Sequence, residues 1–187
     1  REHQRFVLDF RTGPEILAYV NGRELERYGQ AGVATPDHAI RTKGWPLILP
    51  APVAGDAASF KQAASESLTA FVDRYHAYFG RHNSTQRHPK TELDPVPRVV
   101  LVPGVGLFGV GARHGDAAIA ADIAESTVQT VRDAEAIGTF ESITESDIFD
   151  IEYWSLEQAK LGGSASGGLA GNIVLVTGGG GTIGSAI

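Results

Sequence analysis

The sequence predicts an α/β fold, with a small sheet held between helices in three layers. Residues 98–102 read RVVLV, a short β-branched run of the kind that forms a buried strand. Phe60, Ala64, Leu68, Phe71, Tyr75 and Phe79 recur at spacings of four, four, three, four and four, which is one stripe along a long helix. The chain has 187 residues and no cysteine, so this core forms without disulfides.

The elements follow in order. RFVLDF at residues 5–10 alternates as a strand, with Phe6, Leu8 and Phe10 on one face. Thr12 and Glu15 have capping-box spacing around Pro14, and a helix runs through Ile16, Leu17 and Val20. Asn21-Gly22 interrupts it before a second short helix with Leu25 and Tyr28. Thr35 to His38 opens a further turn, and Leu47 to Leu49 is a short extended piece. In the long helix Ser59 and Gln62 supply a capping box and Gly80 a stop, after which His82 to Pro97 is a polar loop.

After the Val99–Val102 strand, Pro103 to Gly106 turn the chain into a second strand at residues 107–111. A helix starts near an Asp116 cap, with Ile119, Ile123, Val128, Val131 and Ile137 inward, and ends at Gly138. Residues 144–161 read as two short helices anchored by Tyr153 and Trp154. Gly162 to Gly168 is a Gly/Ser linker, so the boundaries are a domain over 1–161, a linker over 162–171 and a final segment over 172–187.

Charge narrows the function classes. The formal net charge is −6, and residues 116–160 hold two Lys/Arg against eleven Asp/Glu. An acidic chain without a basic stripe excludes a nucleic-acid partner. No run approaches eighteen apolar residues, so no membrane helix is expected, and the cysteine count fits a cytoplasmic protein. Asp147, Asp150 and Glu152 read as a solvated acidic face. His38, Arg41 and Lys43 gather near one short helix as a candidate site for an anion such as a sugar phosphate. His76 reads as a boundary histidine, and His82 and His88 as exposed.

The final segment carries the sharpest motif. Strand residues 172–176 run into Thr177, Gly178, Gly181, Thr182, Ile183 and Gly184 in a T-G-x-x-G-x-x-G spacing. Glycines so placed let the backbone turn tightly and approach a pyrophosphate at a helix N-terminus, as in a Rossmann domain. LAGNIVLVTGGGGTIG resembles the opening of the short-chain dehydrogenase/reductase family, a resemblance that implies NAD or NADP. One strand and turn make no crevice, so the expectation is that this chain itself binds no dinucleotide.

ATPDHAIRTK, PRVVLVPGVGLFGVG, AAIAADIAESTVQTVRDAEAIG and DIFDIEYWSLEQAKLG resemble the middle of a bifunctional family that fuses a class II aldolase to a short-chain dehydrogenase. Members carry the description rhamnulose-1-phosphate aldolase/alcohol dehydrogenase. The resemblance implies a parent enzyme of sugar metabolism, with zinc in its aldolase domain and NAD or NADP in its dehydrogenase domain. It also implies that residues 1–161 are a class II aldolase-like unit. Where such aldolases place a ligand histidine in an H-G-L-F turn, this chain has Gly104-Val105-Gly106-Leu107-Phe108. No two of its six histidines are spaced by one residue.

The unit therefore reads as a degenerate, metal-free copy, with no cofactor expected in this chain. The opening Arg1-Glu2-His3 and the absence of methionine read as an internal fragment of a longer protein. Its expected role is structural, supporting the parent's other domains and binding the remainder of its own polypeptide, and homo-oligomerisation fits such a role. The alternatives are a pure interaction module and an aldolase-like enzyme with an unusual site around His38.

Overall fold

A computed structural model describes residues 5–155, together with the isolated positions Thr177, Gly180 and Gly181. Strand β1 (Val7–Arg11) leads into helices α1 (Pro14–Val20) and α2 (Leu25–Tyr28). A 3-10 turn at Pro36–His38 runs into α3 (Ala39–Thr42), then the short β2 (Leu47–Ile48) and the long α4 (Ala57–Asn83). Strands β3 (Val99–Val102) and β4 (Gly106–Gly111) form a hairpin, followed by α5 (His114–Ile137) and α6 (Glu145–Glu152). The expected second short helix past α6, the linker and the final strand lie outside the described residues.

The four strands form one mixed sheet in the order β1-β4-β3-β2. The pairs β1–β4 and β3–β4 are antiparallel, and β2–β3 is parallel. Neighbouring residues of β3 point to opposite faces. Val99 and Leu101 pack with Ile16, Tyr19 and Val20 of α1 and Val128 and Val131 of α5. Val100 packs on the other side, where Phe71, Tyr75 and Tyr78 of α4 meet Phe149 of α6. The sheet thus has helices on both faces, as an α/β unit of this kind requires.

The α5 face explains the glycines of β4. A methyl group at Gly109 would lie 2.1 Å from the Ala117 carbonyl oxygen, and one at Gly111 would lie 2.4 Å from the Ala117 amide nitrogen. The strand and helix backbones approach this closely because both surfaces are small. Ala117, Ala120, Ala121 and Ala124 are buried, whereas Ile119 is 40% exposed and Ile137 93% exposed. The inner face of α5 therefore consists of these alanines together with Val128 and Val131, which point inward as expected, whereas Ile119 and Ile137 do not.

Several sequence expectations are corrected by local contacts. Phe6, Leu8 and Phe10 do share one side of the strand, but Val7 supplies the residue buried against the core, and Leu8 and Phe10 stay half exposed. Pairing of Phe10 with Phe108 in the β1–β4 register brings their tilted rings 4.9 Å apart on that open side. Thr12 does not cap α1, since its hydroxyl donates to the Val105 carbonyl at 3.0 Å and Gly13 occupies the cap. The cap of α4 is Asp56, whose carboxylate accepts from the Ser59 amide at 3.0 Å. That helix continues through Gly80, because Arg81 and His82 in its last turn both reach Glu145 of α6. Asp116 lies inside α5 rather than at its cap, which is Arg113. Trp154 is 50% exposed and anchors no core.

Candidate functional site

The site forms where the end of α3 meets α4 and α6. Lys43 follows α3, and its amide donates to the Ala39 carbonyl at 2.9 Å. Thr42 secures the same turn by donating its hydroxyl to the His38 carbonyl at 3.0 Å. Lys43 takes φ 62° and ψ 179°. This is a region that glycine enters freely and other residues occupy at a cost of about 1–3 kcal/mol.

The Lys43 side chain is only 5% exposed, and that of Glu152 only 1%. Their Nζ and Oε1 atoms lie 3.8 Å apart. The ammonium also sits 3.8 Å from the centre of the Tyr75 ring, a cation–π contact. Glu152 accepts from Tyr75 at 2.8 Å and from Tyr78 at 3.0 Å, one phenol on each carboxylate oxygen.

The hydroxyls of Tyr75 and Tyr153 are 2.8 Å apart. Each phenol has one proton to give. Since Tyr75 gives its proton to Glu152, Tyr153 donates to Tyr75 and accepts in turn from the Leu93 amide at 3.3 Å. A directed chain therefore runs from the Leu93 N–H through two tyrosines to the carboxylate. Trp45 closes the aromatic wall, edge-on to Tyr78 with ring centres 5.1 Å apart and with the Arg74 guanidinium 4.1 Å from its own ring centre.

Burial sets the electrostatics. It pulls the Lys43 ammonium down to about 8, against the opposing pull of Glu152. It pushes the Glu152 carboxyl above its ordinary range, against Lys43 and the two phenols. Burial also raises Tyr75 and Tyr78, and pushes Tyr153 up to about 12. The three phenols thus remain protonated donors throughout the neutral range.

A cleft of about 250 Å³ opens beside the pair, with Arg41, Lys43, Asp94, Arg98, Asp116 and Glu152 among its walls. Arg98 is paired with Asp94 and donates to the Val96 carbonyl at 3.3 Å. Of the three residues expected to gather for an anion, Arg41 and Lys43 share this cleft, while His38 is not among its lining residues. His38 Nδ1 is buried without a hydrogen-bond partner among the described residues, as is Trp45 Nε1.

Glu152 is the functional residue that the sequence reading misplaced on a solvated face. A usable signal was present: it falls four residues after Ile148 and three after Phe149, on the same helix face as both. His82 is likewise not exposed as expected. Its side chain is 20% exposed, bonded to Glu145 at 2.8 Å and set against Tyr78 and Phe149. His76 is the half-exposed boundary residue expected, 2.6 Å from Glu92.

Zinc of the class II aldolase kind does not fit the described residues. The turn that would carry a ligand histidine offers only glycine, valine, leucine and phenylalanine, and no three His, Asp or Glu side chains converge elsewhere among the described residues. Of the predicted nucleotide-turn residues, Thr177 and Gly181 are described only as exposed positions. Gly178, Thr182, Ile183 and Gly184 lie outside the described residues. No helix among the described residues is long and apolar enough to cross a membrane.

The sheet with helices on both faces, and the segments that resemble class II aldolases, agree with a direct family comparison. The family described as "Aldolase class II, second domain" matches residues 1–161. The chain belongs to that family. It is also 29% identical to the uncharacterized oxidoreductase YuxG of Bacillus subtilis (strain 168), in a match covering 99% of this chain. The chain spans about 27% of the length of that relative.

Proposed function

We propose that this aldolase class II second domain is a supporting domain of a longer, bifunctional enzyme of sugar metabolism. That parent joins aldol cleavage of a sugar phosphate to oxidoreduction with NAD or NADP. Zinc belongs to the parent's aldolase domain. The nucleotide belongs to a short-chain dehydrogenase domain that opens with residues 172–187, as the glycine spacing at Thr177, Gly178, Gly181, Thr182, Ile183 and Gly184 suggests. The family match and the oxidoreductase name of the larger relative support this reading.

The observation that carries the supporting role is the uncovered face of β1. Leu8 is 58% exposed and Phe10 48% exposed, side by side on β1, which is an edge strand among the described residues. Apolar side chains gathered on an edge strand mark a surface that meets another protein body. The body proposed here is the remainder of the same polypeptide. A homo-oligomer through the same face is the second reading.

The test compares the 187-residue chain with the complete protein. The complete protein is expected to cleave a sugar phosphate and reduce NAD or NADP, and the chain alone to do neither. Replacing Leu8 and Phe10 together by serine is expected to lower both activities of the complete protein and leave the chain folded. Light scattering separates the second reading, in which the isolated chain is a dimer that the same substitutions dissociate. Turnover by the isolated chain, or full activity in the substituted protein, overturns the supporting role.

A further inference from the structure

Among the described residues, Lys43 is the non-glycine residue with a left-handed φ, although Gly44, the next residue, could take that conformation without strain. A lysine persists in such a position where the surroundings over-determine it, and residues of this kind cluster at ligand sites. Here the surroundings are the Tyr75 ring and the Glu152 carboxylate, each 3.8 Å from Nζ. Both Lys43 and Glu152 belong to the wall of the 250 Å³ cleft. That volume falls below the ~300–1,000 Å³ of pockets for drug-sized ligands, so its occupant is a small molecule. Arg41, Lys43 and Arg98 line it together with Asp94, Asp116 and Glu152, and Arg98 is paired with Asp94, so the walls select no net charge. Desolvation is what turns a lysine amine into a nucleophile toward carbonyl carbon, and the adjacent Glu152, although it opposes that shift, is placed to accept the ammonium proton.

We propose that Lys43 captures a small aldehyde or ketone from this cleft as a reversible imine. Glu152 takes one proton from the ammonium. The free amine then adds to the carbonyl carbon: the C–N bond forms as the C=O π bond opens, and the oxygen takes a second proton from nitrogen. The hydroxyl so formed leaves as water on the proton held by Glu152, closing a protonated C=N bond. Overall one ammonium and one carbonyl give one iminium and one water, with no oxidant or reductant consumed.

The groups facing Lys43 permit the first step. Burial, with a smaller contribution from Arg98, brings its pKa down to about 8 against the opposing pull of Glu152, Asp94 and Glu92. Tyr75, Tyr78 and Tyr153 are raised and bring no charge. This capture goes beyond the supporting role and asks no bond cleavage of the chain, so either reading can fail without the other.

The test is reductive trapping. The 187-residue chain is incubated at pH 8 with glycolaldehyde and cyanoborohydride, and modified lysines are located by peptide mass spectrometry. At that pH an ordinary lysine is about 1% free amine or less, whereas a group titrating near 8 is about half free. Lys43 is expected to react about tenfold faster than the exposed Lys61 and Lys90. Lys43→Arg is expected to abolish that modification and leave the other two unchanged. In denaturing urea the preference is expected to vanish. A lysine that is merely structural would be the slowest of the three, and that result overturns the proposal. A preference that survives unfolding also overturns it, because it would then belong to the local sequence and not to the site.

Discussion

Lys43 Nζ lies 3.8 Å from Glu152 Oε1 with both side chains almost wholly buried, so one charge pair ties the end of α3 to the last turn of α6. Removing one member of such a pair strands the other charge in the core, at a cost of about 3–5 kcal/mol. Glu152→Leu is expected to lose that much unfolding free energy in urea. The double variant Lys43→Met with Glu152→Leu is expected to be more stable than Glu152→Leu alone, since no unpaired charge remains. A double variant that unfolds at lower urea than the single one would show that the pair is not what Glu152 contributes.

Tyr75 holds the network together because its hydroxyl both donates to Glu152 and accepts from Tyr153. Tyr75→Phe keeps the ring beneath Lys43 and deletes only that hydroxyl. It removes one hydrogen bond to Glu152 and the acceptor of the Tyr153 hydroxyl, which is expected to cost about 1–3 kcal/mol. Near-ultraviolet circular dichroism tests whether the aromatic wall stays in place, and denaturant unfolding gives the loss. An unchanged midpoint would mean that solvent replaces the missing bonds.

The sequence makes the long elements legible and the site less so, for a physical reason. The long α4 helix, the β3 run and the glycine stop of α5 are local patterns, and the structure contains all three, although the α4 stripe is buried only at Phe71 and Tyr75, with Leu68 exposed and Tyr78 buried in addition. The inner face of α5 is not local. It is set by Gly109 and Gly111 on a different strand, which admit alanine and exclude isoleucine. Glu152 fails in the same way: an acidic run suggests solvent, but the partners that bury it are 74 and 77 residues away in α4. Lys43 was singled out for its charge, while its strained backbone and its partner became visible only in three dimensions.

Two glycine substitutions separate close approach from helix propensity. Gly109→Ala places a methyl 2.1 Å from a backbone oxygen of α5, which only a backbone shift can relieve. Its expected cost is about 1–3 kcal/mol or more. Gly80→Ala, inside α4 with nothing within 4 Å of the added methyl, is expected to stabilise by about 0.5–1 kcal/mol. Thermal unfolding of the two variants against wild type checks both signs. Equal midpoints would remove the argument that β4 is glycine-rich in order to meet α5.

Lys43 also predicts a pH dependence whose sign follows from its burial. Its folded pKa is lowered to about 8, below the ~10.4 of an unfolded lysine. Between those values the unfolded chain binds more protons than the folded one, so stability rises with pH across that window. The contribution is fully present above about 10.4 and is lost as pH falls through 8. Other groups titrate in the same range, among them the unfolded tyrosines, so the measurement is a difference. Wild type and Lys43→Met are unfolded in urea at several pH values from 8 to 10.4. Because methionine does not titrate, the stability of wild type relative to Lys43→Met is expected to increase steadily over the window. A flat difference would mean that the ammonium is as well solvated in the folded chain as in the unfolded one. The burial described for Lys43 would then not hold in solution.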